Sequence, residues 1–170
     1  MRNIIKWVLL VLILCAIGWM ANASFKKVQV SKSVKEKLNT LPVFSLVTLD
    51  GLSLESSALA EGSLVLIHFN SECDHCQYEV QDIKNNIAAF SNTTLVFMSS
   101  EPLVKIRNFA GASGLDNYSN VLFTKIDSND AFTSFGALAV PHVFIYGPDN
   151  KLVKEFKGET KAEAILKYLN

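Results

Sequence analysis

The chain is 170 residues long, 49% apolar and 19% charged, which is room for one ordinary domain with a tail and too little for two full domains. Lys plus Arg and Asp plus Glu both total 16, so the formal net charge is zero and there is no electrostatic basis for nucleic-acid binding. Three cysteines are too few for a disulfide scaffold, and one of them, Cys15, lies in the N-terminal apolar stretch.

The N-terminus opens with Arg2 and Lys6, followed by an unbroken apolar run from Trp7 to Ala21. That run fits the core of a signal peptide, and Ala21-Asn22-Ala23 fits a small-x-small cleavage site. Ile4 to Ala23 is also long enough to cross a bilayer, so residues 1–23 are expected to be an apolar helix serving as a signal or a transmembrane anchor. A buried core helix is the weaker reading, because no polar face interrupts the stretch. Leu14 precedes Cys15 where a lipid-attachment cysteine wants a small residue, so Cys15 reads as apolar filler. Residues 24–41 carry five lysines and one glutamate and read as a basic linker. Such charge favours the cytoplasmic side of an uncleaved segment. The signal-like order of the first residues favours export, to the periplasm or another extracytoplasmic side.

Residues 42–170 form the expected domain. "PVFSLVTL" (42–49) is a strand that turns at Asp50-Gly51 into "LSL", an N-terminal hairpin. Ser56 to Ala60 suits a short helical turn. "LVLIHF" (64–69) is a continuous apolar run, as in a strand covered on both faces. Over residues 76–90, Val80, Ile83, Ile87 and Phe90 recur at helical steps and predict one helix. "TLVFMSS" (94–100) predicts another buried strand, and 102–110 a helix ended near Gly111. "VLFTKID" (121–127) predicts a strand and 129–137 a short helix. Strands at 142–147 and 151–158 flank Pro148-Asp149-Asn150, a hairpin turn. Thr160 and Glu163 match the capping-box pattern of a last helix. Strands alternating with helices and a closing hairpin imply an α/β domain with a mixed sheet flanked by helices.

Cys73 follows strand 64–69 and precedes the helix, which is expected to start near Asp74–Cys76. A helix N-terminus presents unpaired N–H groups and about half a positive charge, which stabilise a thiolate. The second sulfur lies one turn along and can reach the first. Cys73 can therefore attack a substrate disulfide, and Cys76 can resolve the mixed disulfide. Of the intervening pair, Asp74 opposes the thiolate by its charge, and His75 favours it when protonated. A zinc half-site lacks a second ligand pair, since the other histidines, His68 and His142, are single. A purely structural bridge over two residues closes too little chain to stabilise much.

A strand, Cys-x-x-Cys opening a helix, and Val140-Pro141 before a later strand resemble the thioredoxin-like fold over residues 42–170. The extra hairpin and the single signal or anchor resemble exported thiol–disulfide oxidoreductases of the TlpA/ResA type, grouped with redoxin and AhpC/TSA-like domains. That resemblance implies a cis peptide bond before Pro141, and a substrate segment pairing with the Val140 backbone. It places His75 with Val140 and Pro141 among the substrate-contacting residues. It also offers Glu79, three residues after Cys76, a proton-handling role, with an ordinary helix surface charge as the other reading. No cofactor or metal is implied. The implied partners are protein disulfides or dithiols and a membrane-linked redox carrier that recycles the pair, with cytochrome c maturation as one setting. Two departures stand out. Glu72 replaces the tryptophan usual before the first cysteine of thioredoxins, and Ile67 replaces their buried acid. Thiol peroxidase is the alternative on the same fold, but its Pro-x-x-x-Thr/Ser-x-x-Cys pattern fails at Leu66 and Asn70. A non-enzymatic metal-binding or interaction module is the other alternative.

His68 reads as a satisfied sheet histidine, and His142 as a candidate cleft residue. Phe44, Phe69, Phe97, Phe123 and Phe144 read as core, Tyr78 as helix packing, and Gly136 and Gly147 as element ends.

Overall fold

The computed structural model describes residues 36, 38–59, 62–136 and 139–169. The expected signal or anchor (1–23) and most of the basic linker lie outside the described residues. Among the described residues, no helix is long and apolar enough to cross a membrane.

In chain order the elements are β1 (Ser45–Thr48), β2 (Ser53–Glu55), a 3₁₀ turn (Ser56–Leu59), β3 (Ser63–His68), α1 (Asp74–Asn85), a second 3₁₀ turn (Ile87–Phe90), β4 (Thr93–Ser99), α2 (Leu103–Ser113), β5 (Val121–Ile126), α3 (Ser128–Phe135), β6 (His142–Tyr146), β7 (Leu152–Lys157) and α4 (Ala162–Leu166). Seven strands form one sheet in the order β2-β1-β5-β4-β3-β6-β7. The inner strands β3, β4 and β5 run parallel, as continuous apolar runs covered on both faces should. Strands β6 and β7 close one side antiparallel, and the β1–β2 hairpin closes the other against β5. This is the expected mixed sheet flanked by helices, with the N-terminal hairpin in place.

Alternation along the strands builds two layers. On one face Val65, Ile67, Phe69, Leu95, Phe97, Phe123 and Val143 pack with Val80 and Ile83 of α1 and Ile106 and Phe109 of α2. The rings of Phe69 and Phe109 stack at 4.5 Å, and those of Phe97 and Phe123 at 4.7 Å. On the other face Phe44, Phe135 and Phe144 meet with ring centroids 5.0 Å apart. The five phenylalanines read as core are all buried.

Several local expectations need correction. The helix opens at Asp74, within its expected start, but residues 76–90 are not one helix: it stops at Asn85, where the Asn86 amide returns to Ile83 and Lys84, and a 3₁₀ turn carries Phe90 into the core. Helix α2 runs through Gly111, which faces solvent, because Ala110 and Ser113 keep its buried stripe going. It ends at Gly114, whose left-handed φ of 67° lets its amide donate to Ala110 and Gly111. Thr160 does not cap α4: Lys161 holds that position without a side-chain bond, and Thr160 is drawn inward by Glu79. Tyr78 is not packed but 62% exposed. The hairpin turn is as expected, with Asn150 at φ 59°. The end of the linker is docked against that turn. Leu38 is buried, Thr40 bridges Lys151, and the Leu41 amide donates to Asn150.

Candidate active site

One edge of the sheet gathers the chemistry. The registers align His68 with Met98 of β4 and with His142 of β6, and His142 with Lys157 of β7. The loops that leave β3, β4 and β7 and the loop that enters β6 therefore meet at this edge.

Cys73 is the N-cap residue of α1, with extended backbone at φ −90° and ψ 116°. Its carbonyl accepts from the amides of Cys76 (3.0 Å) and Gln77 (3.1 Å), which puts the residue at the N-terminus of the helix, and its side chain makes no capping bond. It is half-buried, and its thiol donates to the Val140 carbonyl at 3.9 Å. The Val140–Pro141 bond is cis. Val140 is 41% exposed and Pro141 is buried. Cys76 lies behind, 2% exposed, and shares a small cavity with Glu79, Val80, Ile67, Phe69 and Pro141. Both residues are free thiols.

Burial pushes the Cys76 thiol up to about 12, with Cys73 and Glu79 adding and a backbone bond from Asn70 opposing. Glu79 lies on the same helix face at i+3 and is only 1% exposed, so it is not a surface charge. Its Oε2 accepts from the Thr160 amide at 2.9 Å, and its Oε1 has no partner among the described residues. Burial pushes its carboxyl up to about 8; the Thr160 amide opposes this, and the Glu159 and Asp82 carboxylates add to it. A thioredoxin carries its buried acid on the strand. Here Ile67 holds that place, and the buried carboxyl beside Cys76 is that of Glu79 on α1.

His75 is exposed, and its Nδ1 lies 2.8 Å from Glu159 Oε2 in the loop after β7. The loop before Cys73 is held by a residue that sequence reading missed. Glu101 accepts from the Ser71 amide (2.7 Å) and hydroxyl (2.8 Å) and from Ser99 (3.2 Å). Lys105 pairs with Glu72 at 2.6 Å. An open groove of about 500 Å³ between α1 and α2 is lined by Glu72, Gln77 and Lys105, beside the thiols and not including them. A polar residue just past a parallel strand could have pointed to Glu101, since ligands and catalytic groups collect at that edge. Nothing local pointed to Glu159 or Thr160.

His68 donates from Nδ1 to the Ala139 carbonyl at 3.2 Å; burial keeps its ring below the usual histidine range. His142 does not line the cleft. It stacks on Phe144 at 4.3 Å on the face opposite α1, and its ring, which burial holds below the usual histidine range against the pull of Glu155, donates from Nε2 to Glu155 at 2.8 Å. Among the described residues, no three His, Cys, Asp or Glu side chains stand together so as to hold a metal.

A Cys-x-x-Cys pair at the start of α1, on this sheet and with Val140–Pro141 beside it, is the arrangement of the thioredoxin-like fold, and the chain is similar to thiol–disulfide oxidoreductases of the ResA type. No family model matches the chain. The chain is similar to the thiol–disulfide oxidoreductase ResA of Bacillus subtilis, 25% identical over 99% of this chain and 92% of that one. Among solved structures, the thioredoxin-family thiol:disulfide interchange protein of Chlorobium tepidum superposes with a TM-score of 0.64 at 19% identity, covering 78% of this chain and 97% of that one. The exposed lipoprotein thioredoxin of Streptococcus pneumoniae superposes with a TM-score of 0.60 at 21% identity, covering 75% and 97%. These two likenesses carry the fold.

Proposed function

We propose that the chain exchanges its Cys73–Cys76 pair with disulfides and dithiols of other proteins outside the cytoplasm. The observation that carries this reading is the division between the two sulfurs. Cys73 is reachable at the helix N-terminus beside Val140, and Cys76 is sealed behind it against Glu79. In the reducing direction, the Cys73 thiolate attacks a substrate disulfide, forms a mixed disulfide and releases one substrate thiol. Cys76 gives its proton to the Glu79 carboxylate and displaces the second substrate sulfur. Substrate gains two electrons and the protein becomes the disulfide. The reverse sequence oxidises a dithiol, with Glu79 returning the proton. A carboxyl pushed up to about 8 populates both forms near neutral pH, which suits a group that must take and return a proton. Val140, exposed next to Cys73, offers backbone to an extended substrate segment, with Pro141 and His75 bordering it.

Residues 1–23 would tether the domain or direct its export, and a membrane-linked carrier would recycle the pair. The exposed lipoprotein thioredoxin of Streptococcus pneumoniae and a secreted disulfide oxidoreductase of Mycobacterium tuberculosis, which share this fold, support that location.

Cys76→Ser should accumulate mixed disulfides through Cys73, seen as thiol-sensitive adducts on non-reducing gels, and Cys73→Ser should form none. Equal trapping by both variants overturns the assignment. A periplasmic reporter fused after residue 170 checks the location.

A further inference from the structure

The loop after β7 touches the redox site at three consecutive residues. The Gly158 amide donates to the Pro141 carbonyl at 2.9 Å. Glu159 Oε2 meets His75 Nδ1 at 2.8 Å. The Thr160 amide donates to Glu79 Oε2 at 2.9 Å. The Thr160 hydroxyl closes the loop on the Gly158 carbonyl at 3.0 Å. One short segment therefore holds the cis-proline loop, the dipeptide between the cysteines and the buried acid. Two of these contacts come from backbone amides and are indifferent to side-chain identity. The third depends on Glu159.

We propose that Glu159 is a positioning residue of the redox site: by binding the His75 ring it holds that ring to the β7–α4 loop and away from the Cys73 sulfur, and so sets how strongly the dithiol form is favoured. This rests on the exchange reading above. The His75 ring is the chief cause that holds the Glu159 carboxyl below the usual carboxylate range, and Lys161, 3.6 Å away, contributes less. The disulfide is uncharged, whereas in the exchange reading the reduced pair reacts as a thiolate at Cys73. A histidine bound to a carboxylate gives that anion little net positive charge. Released from it, a protonated ring has only the Asp74 carboxylate and the thiolate to answer, and the reduced form gains. Thiol–disulfide potentials respond to such changes because the reduced form alone carries the charge.

The test is the equilibrium of the full chain with glutathione, in which two glutathione thiols reduce the Cys73–Cys76 disulfide and leave oxidised glutathione. Glu159→Gln keeps the loop's shape and removes the charge. The expected result is about a fivefold shift towards the reduced protein, which is ~20 mV for a two-electron couple. In a His75→Asn background the same substitution should shift the equilibrium less than about twofold, because its target is gone. Lys161→Gln changes a charge on the same loop without touching His75 and should also stay below about twofold. An unmoved potential in Glu159→Gln, an undiminished shift in the His75→Asn background, or an equal shift from Lys161→Gln overturns the proposal. If the wild-type pair forms no disulfide exchangeable with glutathione, the exchange reading falls and this one with it; if it exchanges and Glu159→Gln does not differ, only this one falls.

Discussion

At the scale of single residues, burial decides what each acid does. Glu79 is sealed under the sheet edge with one amide for a partner, and its carboxyl is pushed up to about 8 from the ordinary 4.5. A folded-state value raised above the unfolded one means that stability is fully present below about 4.5. It is lost as pH rises through about 8. Relative to Glu79→Gln, the wild-type protein should lose on the order of 3–5 kcal/mol between those limits, read from urea unfolding at each pH. Glu79→Gln should also slow resolution of the mixed disulfide by about 10–100-fold at pH 7, followed by stopped-flow release of a labelled substrate thiol. The resemblance to exported thiol–disulfide oxidoreductases made Glu79 a candidate. Its burial was not legible, because α1 meets the β7–α4 loop far along the chain.

At the scale of elements, the helices end where backbone chemistry allows. Helix α2 passes Gly111, since a glycine on the solvent side costs too little to break a helix whose next turn still buries Ser113 and leads to Leu115. It stops at Gly114, where φ is positive. Gly114→Ala should lower stability by about 1 kcal/mol, seen as a lower urea midpoint with an unchanged slope. The added Cβ would meet the flexible tip of Lys84 at 2.8 Å, which can move aside, so the cost is conformational. Thr160 shows the opposite case. Its capping-box spacing is sound, but the Glu79 carboxyl binds its amide, and the helix begins a residue later.

At the scale of the molecule, parallel strands bring distant loops to one edge. Phe97 lies at the centre of the sheet, with Ile67 and Phe123 as its register partners and its ring stacked on Phe123. Phe97→Ala should cost about 3–5 kcal/mol, measured by thermal or urea unfolding, and should loosen the edge that carries Cys73. Glu101, Pro141 and Glu159 reach that edge from three different strands. Each contact depends on strand order, and strand order is not written in any local window.

The amino-acid sequence alone determined the alternating strands and helices, the phenylalanine core, the Cys-x-x-Cys pair at a helix start and the proline ahead of a later strand. These are matters of periodicity and short spacing, which a chain carries locally. The tertiary structure alone decided that Cys76 and Glu79 share a buried pocket, that Glu101 holds the loop before Cys73, that His142 turns away from the cleft and that Glu159 binds His75. Burial and long-range hydrogen bonds arise only when segments some eighty residues apart are packed side by side, and desolvation there sets which groups hold their protons.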